Sequence, residues 1–569
     1  FNIKQRSIKY SLEDLERLYP RHFSISKSAN LFQVEGFHVD VQDGRVIIGE
    51  YQARQMADLI EADIRLLGGI EVLRKIFQLI EPNFNTQQER YHLVRKFNNV
   101  NHPSIPFNYL LNLCVKYPRK SVPIFVDSFE NIWSRIRERS IALASVLDVE
   151  PDSQFTLLFH SPDTIAQFLQ ELAIYDNLFC PTQLRPSDVP KMLEGFFSTY
   201  SERIRQKLDY TPKQAATIAG KILDLAKNKL CPMTFRSQDL NIPETQISKD
   251  EMDKLLSMYS HSLSNLNVDF KIPQDIAKLS EGYFHSKPLI RTDDDSYLLI
   301  APSICAPAFY EALVSEIREK AVLTNHNELG AEIEKFIKSE FLNRKIKVIS
   351  GKYGNTKGQK STNEIDLLIE TSKALIFFEV KAKALTRRSR CGIDLNLFLD
   401  LSKSLLDSQF QINKHEIFIR RNESLLMEDG VVCHLSNREI VRVSVTLLDF
   451  GSFQDRTIIS QFLESMLRGR LDISSVVSDS EQEQISEMNE KFNKFRDQFK
   501  ELGSLAPQTI DKPFYNCWFL SLPQLLIILD HVKTADDLQR EIWKTRNFSA
   551  SSLDFYMEYD WARYLYSKA

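Results

Sequence analysis

A chain of 569 residues with 43% hydrophobic and 26% charged side chains has ordinary globular composition, which excludes collagen-like, mucin-like and wholly disordered classes. Its 72 basic residues are balanced by 76 acidic ones, so no bulk positive charge marks a nucleic-acid protein, although a local concentration is hidden in such a total. With 17 glycines and 21 prolines the chain is sparse in turn residues, and long helices are expected rather than a many-stranded sandwich.

The opening FNIKQRSIKYSLEDL has no apolar run, so no signal peptide is expected. The most apolar stretch, 514–529, is broken by Asn516, Pro523 and Gln524, and no membrane span is expected. Seven cysteines, none in a C-x-x-C pair, argue against a disulfide framework or a structural zinc. A reducing cytoplasm is the expected compartment.

Along the chain, residues 1–275 read as a mainly helical regulatory or recognition region. Apolar residues recur near helical spacing in 52–80, where Gly68-Gly69 marks a break, and again in 128–147, 164–175 and 213–230. A strand-like piece spans Phe32 to Ile48, with Asp43-Gly44 as a hairpin turn. Isolated histidines (His22, His38, His92, His102, His160, His261) carry no ligand spacing and are read as ordinary surface or core residues. Residues 276–326 form a connecting hairpin, turning at Asp293-Asp294-Asp295, and a helix.

From 327 to 470 the order becomes helix, strand, glycine-containing loop, two strands, long helix, strand: an α/β module. Residues 471–510 follow as a polar linker and an amphipathic helix whose Ile485, Met488, Phe492, Phe495, Phe499 and Leu502 fall at 3-4 spacing. Packing of that seam on its own domain is favoured over a dimer zipper, because two heptads are marginal alone. Residues 511–569 are aromatic-rich and read as a small helical closing element.

The chemistry is carried by NEIDLLIETSKALIFFEVKAK, 363–383. Two apolar runs flank a polar turn at Ser372-Lys373, so an antiparallel hairpin is expected in which residue numbers summing to 745 face each other. One face carries Ile365, Leu367, Ile369, Ile376, Phe378 and Val380. The other carries Leu368, Leu375 and Phe377, then Asp366, Glu379, Glu364 and Lys381 together. Opposed carboxylates repel, and a hard divalent cation such as Mg²⁺ or Mn²⁺ held between them offsets the repulsion.

Asp366 followed by Glu379-Val380-Lys381 at the end of the next apolar strand resembles the core of the PD-(D/E)XK nuclease superfamily, over about 327–420. The resemblance implies a restriction-endonuclease-like α/β fold and a metal-dependent nuclease, DNA favoured. Asp366, Glu379 and the Val380 carbonyl would be metal ligands and Lys381 a catalytic lysine. An upstream helix, NELGAEIEKFIKSEF, would supply an acid at Glu334, with Glu332 as competitor. The superfamily's usual proline is replaced by Ile365. In bacteria such nucleases mostly serve restriction, repair or anti-phage defence. A nuclease-fold subunit that grips DNA without cutting is the alternative.

Local charge agrees with a phosphate polymer: residues 341–390 hold twelve Lys and Arg against four Asp and Glu, in a chain of net −4. Lys360, Lys383, Arg387, Arg388 and Arg390 are the expected nucleic-acid contacts. GKYGNTKGQKST, 351–362, only superficially resembles a P-loop, since Gln359 intervenes before Lys360, and ATP binding is not expected there. On the helix after the hairpin, over 397–419, Leu397, Leu401, Leu405 and Ile412 are expected buried, while Gln409, Gln411 and Lys414 either face the site or the substrate or, on the simpler reading, are exposed. Oligomerisation or a partner protein is expected, if anywhere, through residues 1–275 or the 485–502 seam.

Overall fold

The computed structural model describes residues 11–42, 45–93, 104–120, 126–150, 162–227, 229, 231–279, 282–292, 296–323, 327–354, 363–472, 478–507, 511–550 and 552–568. The first half is helical as expected, with helices at Pro20–Val34, Glu50–Leu67, Gly69–Ile80, Phe107–Cys114, Val126–Leu147, α1 (Pro162–Phe179), α2 (Val189–Phe197), Pro212–Ala226 and Lys249–Met258. The break at Gly68-Gly69 is a close backbone approach. Gly68 sits at φ 82, and a Cβ there would lie 2.6 Å from the Lys120 nitrogen, so a larger residue would push the two segments apart.

The strand-like piece near the start is shorter than expected. Phe32 lies in the last turn of helix Pro20–Val34 and is fully buried, leaving only Asp40–Gln42 and Arg45–Ile47 as an antiparallel pair. The Asp43-Gly44 turn lies outside the described residues, as do Asp293, Asp294 and Asp295. The connecting hairpin is present, with Ile290 opposite Leu298. It belongs to a four-stranded sheet that also takes Met233–Phe235 and Ser260–Ser262, so the boundary expected at 275/276 falls inside one sheet.

The α/β region is organised on a seven-stranded mixed sheet. Its strands are β1 (Ile349–Gly354), β2 (Asn363–Glu370), β3 (Ala374–Lys381), β4 (Ser424–Met427), β5 (Val432–His434), β6 (Glu439–Thr446) and β7 (Cys517–Ser521), in the order β5-β4-β1-β2-β3-β6-β7. β3, β6 and β7 run parallel, while the pairs on the β1 side are antiparallel. Helix α3 (Asn327–Asn343) covers one face, where Ile333, Ile337 and Phe341 join Leu367, Ile369, Ile376 and Phe378 in the main core. The other face packs Leu368, Leu375 and Phe377 with Ile412 and Ile419 of α4 (Asp407–Asn422) in a smaller core. The main core is continuous from Phe32 to Tyr559, joining the helical half, the sheet and the tail.

At the tail one expectation is corrected and the favoured reading of the seam is met. Residues 511–569 are not purely helical, because CWFLS forms the edge strand β7, parallel to β6. A five-residue apolar run has no period long enough to separate strand from helix, and the open edge of β6 decides. The 485–502 seam faces inward as well. Met488, Phe492, Phe495, Phe499 and Leu502 of helix α5 (Asp479–Leu505) are buried beside α4, tied by Lys491–Asp407 at 2.6 Å and by Asn413 donating to Gln498 at 3.2 Å. Filled from within the chain, the seam offers no zipper to a second copy. No helix among the described residues is long and apolar enough to cross a membrane. All seven cysteines are unpaired.

Candidate active site

The β2–β3 hairpin has the expected register: Leu367 opposes Phe378, and Leu368, Ile369 and Glu370 oppose Phe377, Ile376 and Leu375. On its other edge β2 pairs with β1 through a register shift between Ile365 and Leu368. Such a bulge re-aims side chains, and two consequences follow. Ile365, expected on the face of Leu367 and Ile369, packs instead in the smaller core with Leu368 and Phe377. Asp366, inside the bulge, leaves the ladder, and its Oδ2 accepts the Val380 N–H at 2.8 Å.

Glu379, one residue before that N–H, is 6% exposed, and Lys381 Nζ donates to its Oε1 at 2.9 Å. Burial, reinforced by the charge of Asp366, pushes the Glu379 carboxyl up to about 7. Burial also raises Asp366, although the Val380 N–H and Lys381 oppose the rise. Burial pulls the Lys381 ammonium down, but Glu379 and Asp366 together hold it above the usual lysine range.

Helix α3 brings the fourth member. Glu334 is pushed up to about 7 by burial and by the charges of Asp366 and Glu364. Glu332 points elsewhere: it is 4% exposed, accepts Thr199 Oγ1 at 2.8 Å and Lys335 Nζ at 2.6 Å, and ties α3 to the segment following α2. Of the two candidate acids, Glu334 is therefore the one in the field of the hairpin carboxylates.

Lys383 and Arg388 are exposed beyond the end of β3. Arg387 and Arg390 have partners within the chain. Thr386–Arg390 is a capped turn, with the Thr386 N–H and Ser389 hydroxyl both donating to Asp400. Arg387 donates to the Leu279 carbonyl and lies over the Tyr283 ring, and Arg390 donates to Thr182 Oγ1 at 2.5 Å. Arg390 thus turns into a cavity of about 70 Å³ that also meets the buried Arg90 and Asp449 and the half-buried Asp554. These two arginines join the loop to segments far back in the chain. Lys360 lies outside the described residues, as does 355–362 of the P-loop-like segment.

The helix expected over 397–419 is interrupted: Asp394–Leu401 passes through a π turn, Ser402–Leu406, into α4. Leu397, Leu401, Leu405 and Ile412 are buried as expected. Gln411 and Lys414 pair at the surface, but Gln409 is fully buried and donates to Ser444 Oγ at 3.0 Å. Ser444 stands opposite Glu379 in the parallel ladder, so Gln409 belongs to the polar floor beneath the site. Periodicity left its place open between the site and the surface, because the π turn shifts the helical phase. Asp407, whose charge also reaches Lys381, was missed for the same reason.

The oxygen donors are hard and repel one another, which suits Mg²⁺ or Mn²⁺. Among the described residues, however, no three His, Cys, Asp or Glu side chains stand close enough to hold a metal ion. Lys381, hydrogen-bonded to Glu379, takes up one of the donors. No family model matches the chain, and no curated protein or solved structure proved similar to it.

Proposed function

We propose that the chain is a metal-dependent nuclease that hydrolyses phosphodiester bonds of nucleic acid, DNA favoured, with its active site at the Asp366 end of the β2–β3 hairpin. The observation that carries this reading is the juxtaposition of Glu334, Asp366, Glu379 and Lys381, drawn from three elements into one electrostatically coupled cluster. Buried like charges cost stability and persist where they serve a site. The PD-(D/E)XK pattern in the sequence supports the same reading, and bacterial restriction or anti-phage defence is the setting it suggests.

Asp366, Glu379 and the Val380 carbonyl are the groups that would hold Mg²⁺ or Mn²⁺. Bound there, the ion would balance the carboxylate charge and supply Lewis acidity and a more acidic water. Lys381, released from Glu379, would face the charge developing on the phosphoryl oxygens. Glu334, poised near neutrality, can accept or hold a proton beside the reacting groups. Lys383 and Arg388 would meet the backbone outside.

The Lys381–Glu379 ion pair, which engages one of the candidate ligands, favours a second reading, a nuclease-fold subunit that binds nucleic acid without cutting it. Incubating the purified chain with plasmid, linear duplex, single-stranded DNA and RNA, with Mg²⁺, Mn²⁺ or EDTA, separates the two. Metal-dependent cleavage lost in Asp366→Asn supports the nuclease. Binding without cleavage under every condition supports the second reading.

A further inference from the structure

A groove of about 500 Å³ lies between the helical half and the connecting region, lined by none of the residues of the carboxylate cluster. Four lysines reach it from four segments: Lys207 at the end of helix Ser201–Leu208, Lys254 on Lys249–Met258, Lys287 before strand Leu289–Arg291, and Lys320 capping Pro302–Glu319. Its floor is apolar, made by the buried Leu208, Tyr210 and Met258. The facing acids are Asp253 and Glu316, with Asp209 engaged by Lys254 at 2.7 Å.

Some of this charge has a structural use. Lys207 and Lys320 sit at helix C-termini, where a cation complements the dipole, and Lys207 also donates to the Lys320 carbonyl at 3.4 Å. Lys287 lies on no helix. Among the described residues neither Lys287 nor Lys320 forms an ion pair with a carboxylate, so both ammonium groups remain to receive an anion. A volume in the range of small-molecule sites, an apolar floor and a lysine rim together match a ligand with an apolar ring and a phosphoryl group.

We infer that this groove binds a phosphate-bearing ligand of nucleotide size, with its phosphoryl oxygens on Lys287 and Lys320 and its ring against Tyr210 and Met258. The shared chemistry has two sources, a free nucleotide or the end of a nucleic-acid strand, and either makes this groove a sensing element lined by none of the hairpin-site residues.

The test is calorimetric titration of the full chain in EDTA, which removes metal-dependent binding at the carboxylates. The probes are ATP, AMP, inorganic pyrophosphate and a 5′-phosphorylated oligonucleotide. The chain is compared with Lys287→Ala/Lys320→Ala and with Lys213→Ala/Lys221→Ala, an exposed pair outside the groove that makes the same change in net charge. Removing two charge-assisted hydrogen bonds should weaken binding about tenfold or more in the groove variant and leave the control variant near wild type. A loss seen with ATP identifies a free nucleotide, and a loss seen with the oligonucleotide alone identifies a strand end. The inference is overturned if no probe binds at millimolar concentration, or if binding is weakened equally in both variants or in neither. Thermal unfolding of each variant alongside shows that the fold is retained.

Discussion

Glu379→Gln tests the buried carboxylate cluster directly, because it keeps the shape of the side chain and removes its charge. Glu379 is raised from an ordinary 4.5 to about 7 by burial and by Asp366. Holding it ionised above neutral pH therefore costs the fold about 3 kcal/mol. Lys381 loses a partner in the variant, which offsets part of the gain, so the metal-free variant should be more stable than wild type by about 1–3 kcal/mol at about pH 8. The sign follows from linkage. Below the ordinary carboxyl range Glu379 is protonated in both folded and unfolded chains. As pH rises from about 4.5 to about 7, the unfolded chain ionises first and wild-type stability declines, levelling off above that range. Urea unfolding in EDTA at about pH 5 and about pH 8 measures both quantities, and nuclease assays with Mg²⁺ should find the variant inactive. A variant less stable than wild type at the higher pH, or one retaining the wild-type pH slope across this range, would refute the assignment of Glu379 to a strained, like-charged site.

Lys381→Ala should lower the cleavage rate on the order of 10²-fold while affinity falls only modestly, since stabilisation of transition-state charge is what it removes; quench-flow rates and filter binding separate the two. Lys383→Ala/Arg388→Ala should reduce the slope of log K against log salt by up to about 0.9 for each phosphate no longer neutralised, whereas Arg387→Ala or Arg390→Ala should act on thermal stability, because those side chains are bonded to Leu279 and Thr182. Glu334→Gln should abolish cleavage at little cost in stability. Glu332→Gln should do the opposite, weakening the solvent-screened bond with Lys335 by up to about 1 kcal/mol and sparing activity, as chemical denaturation and a cleavage assay will show.

Much of the candidate site was legible because its signals are local. Alternation along 363–381 is a period-2 pattern between two neighbouring strands, so residue type alone defines the register, and the pairs from Leu367–Phe378 to Glu370–Leu375 follow it. The helical first half and the buried seam of α5 were readable for a similar reason, since a 3.6-residue period is carried within each segment. Where a local irregularity intervenes, the pattern fails: the bulge in β2 carries Ile365 to the other core, and the π turn at Ser402–Leu406 buries Gln409.

What the sequence by itself determined is the hairpin, its register and the placing of Asp366, Glu379 and Lys381 toward one end of it, all consequences of interactions between near neighbours. Tertiary structure alone decided that Glu334 rather than Glu332 faces Asp366, that Arg387 and Arg390 bond to the helical half, and that 517–521 completes the sheet. Each of these depends on a partner far away in the chain: Thr199 for Glu332, Thr182 for Arg390, the open edge of β6 for Cys517–Ser521. An acid, a base or a short apolar run carries no mark of such a partner, because its preference for pairing is met equally well by solvent, by nucleic acid or by protein until the fold brings one of them within reach.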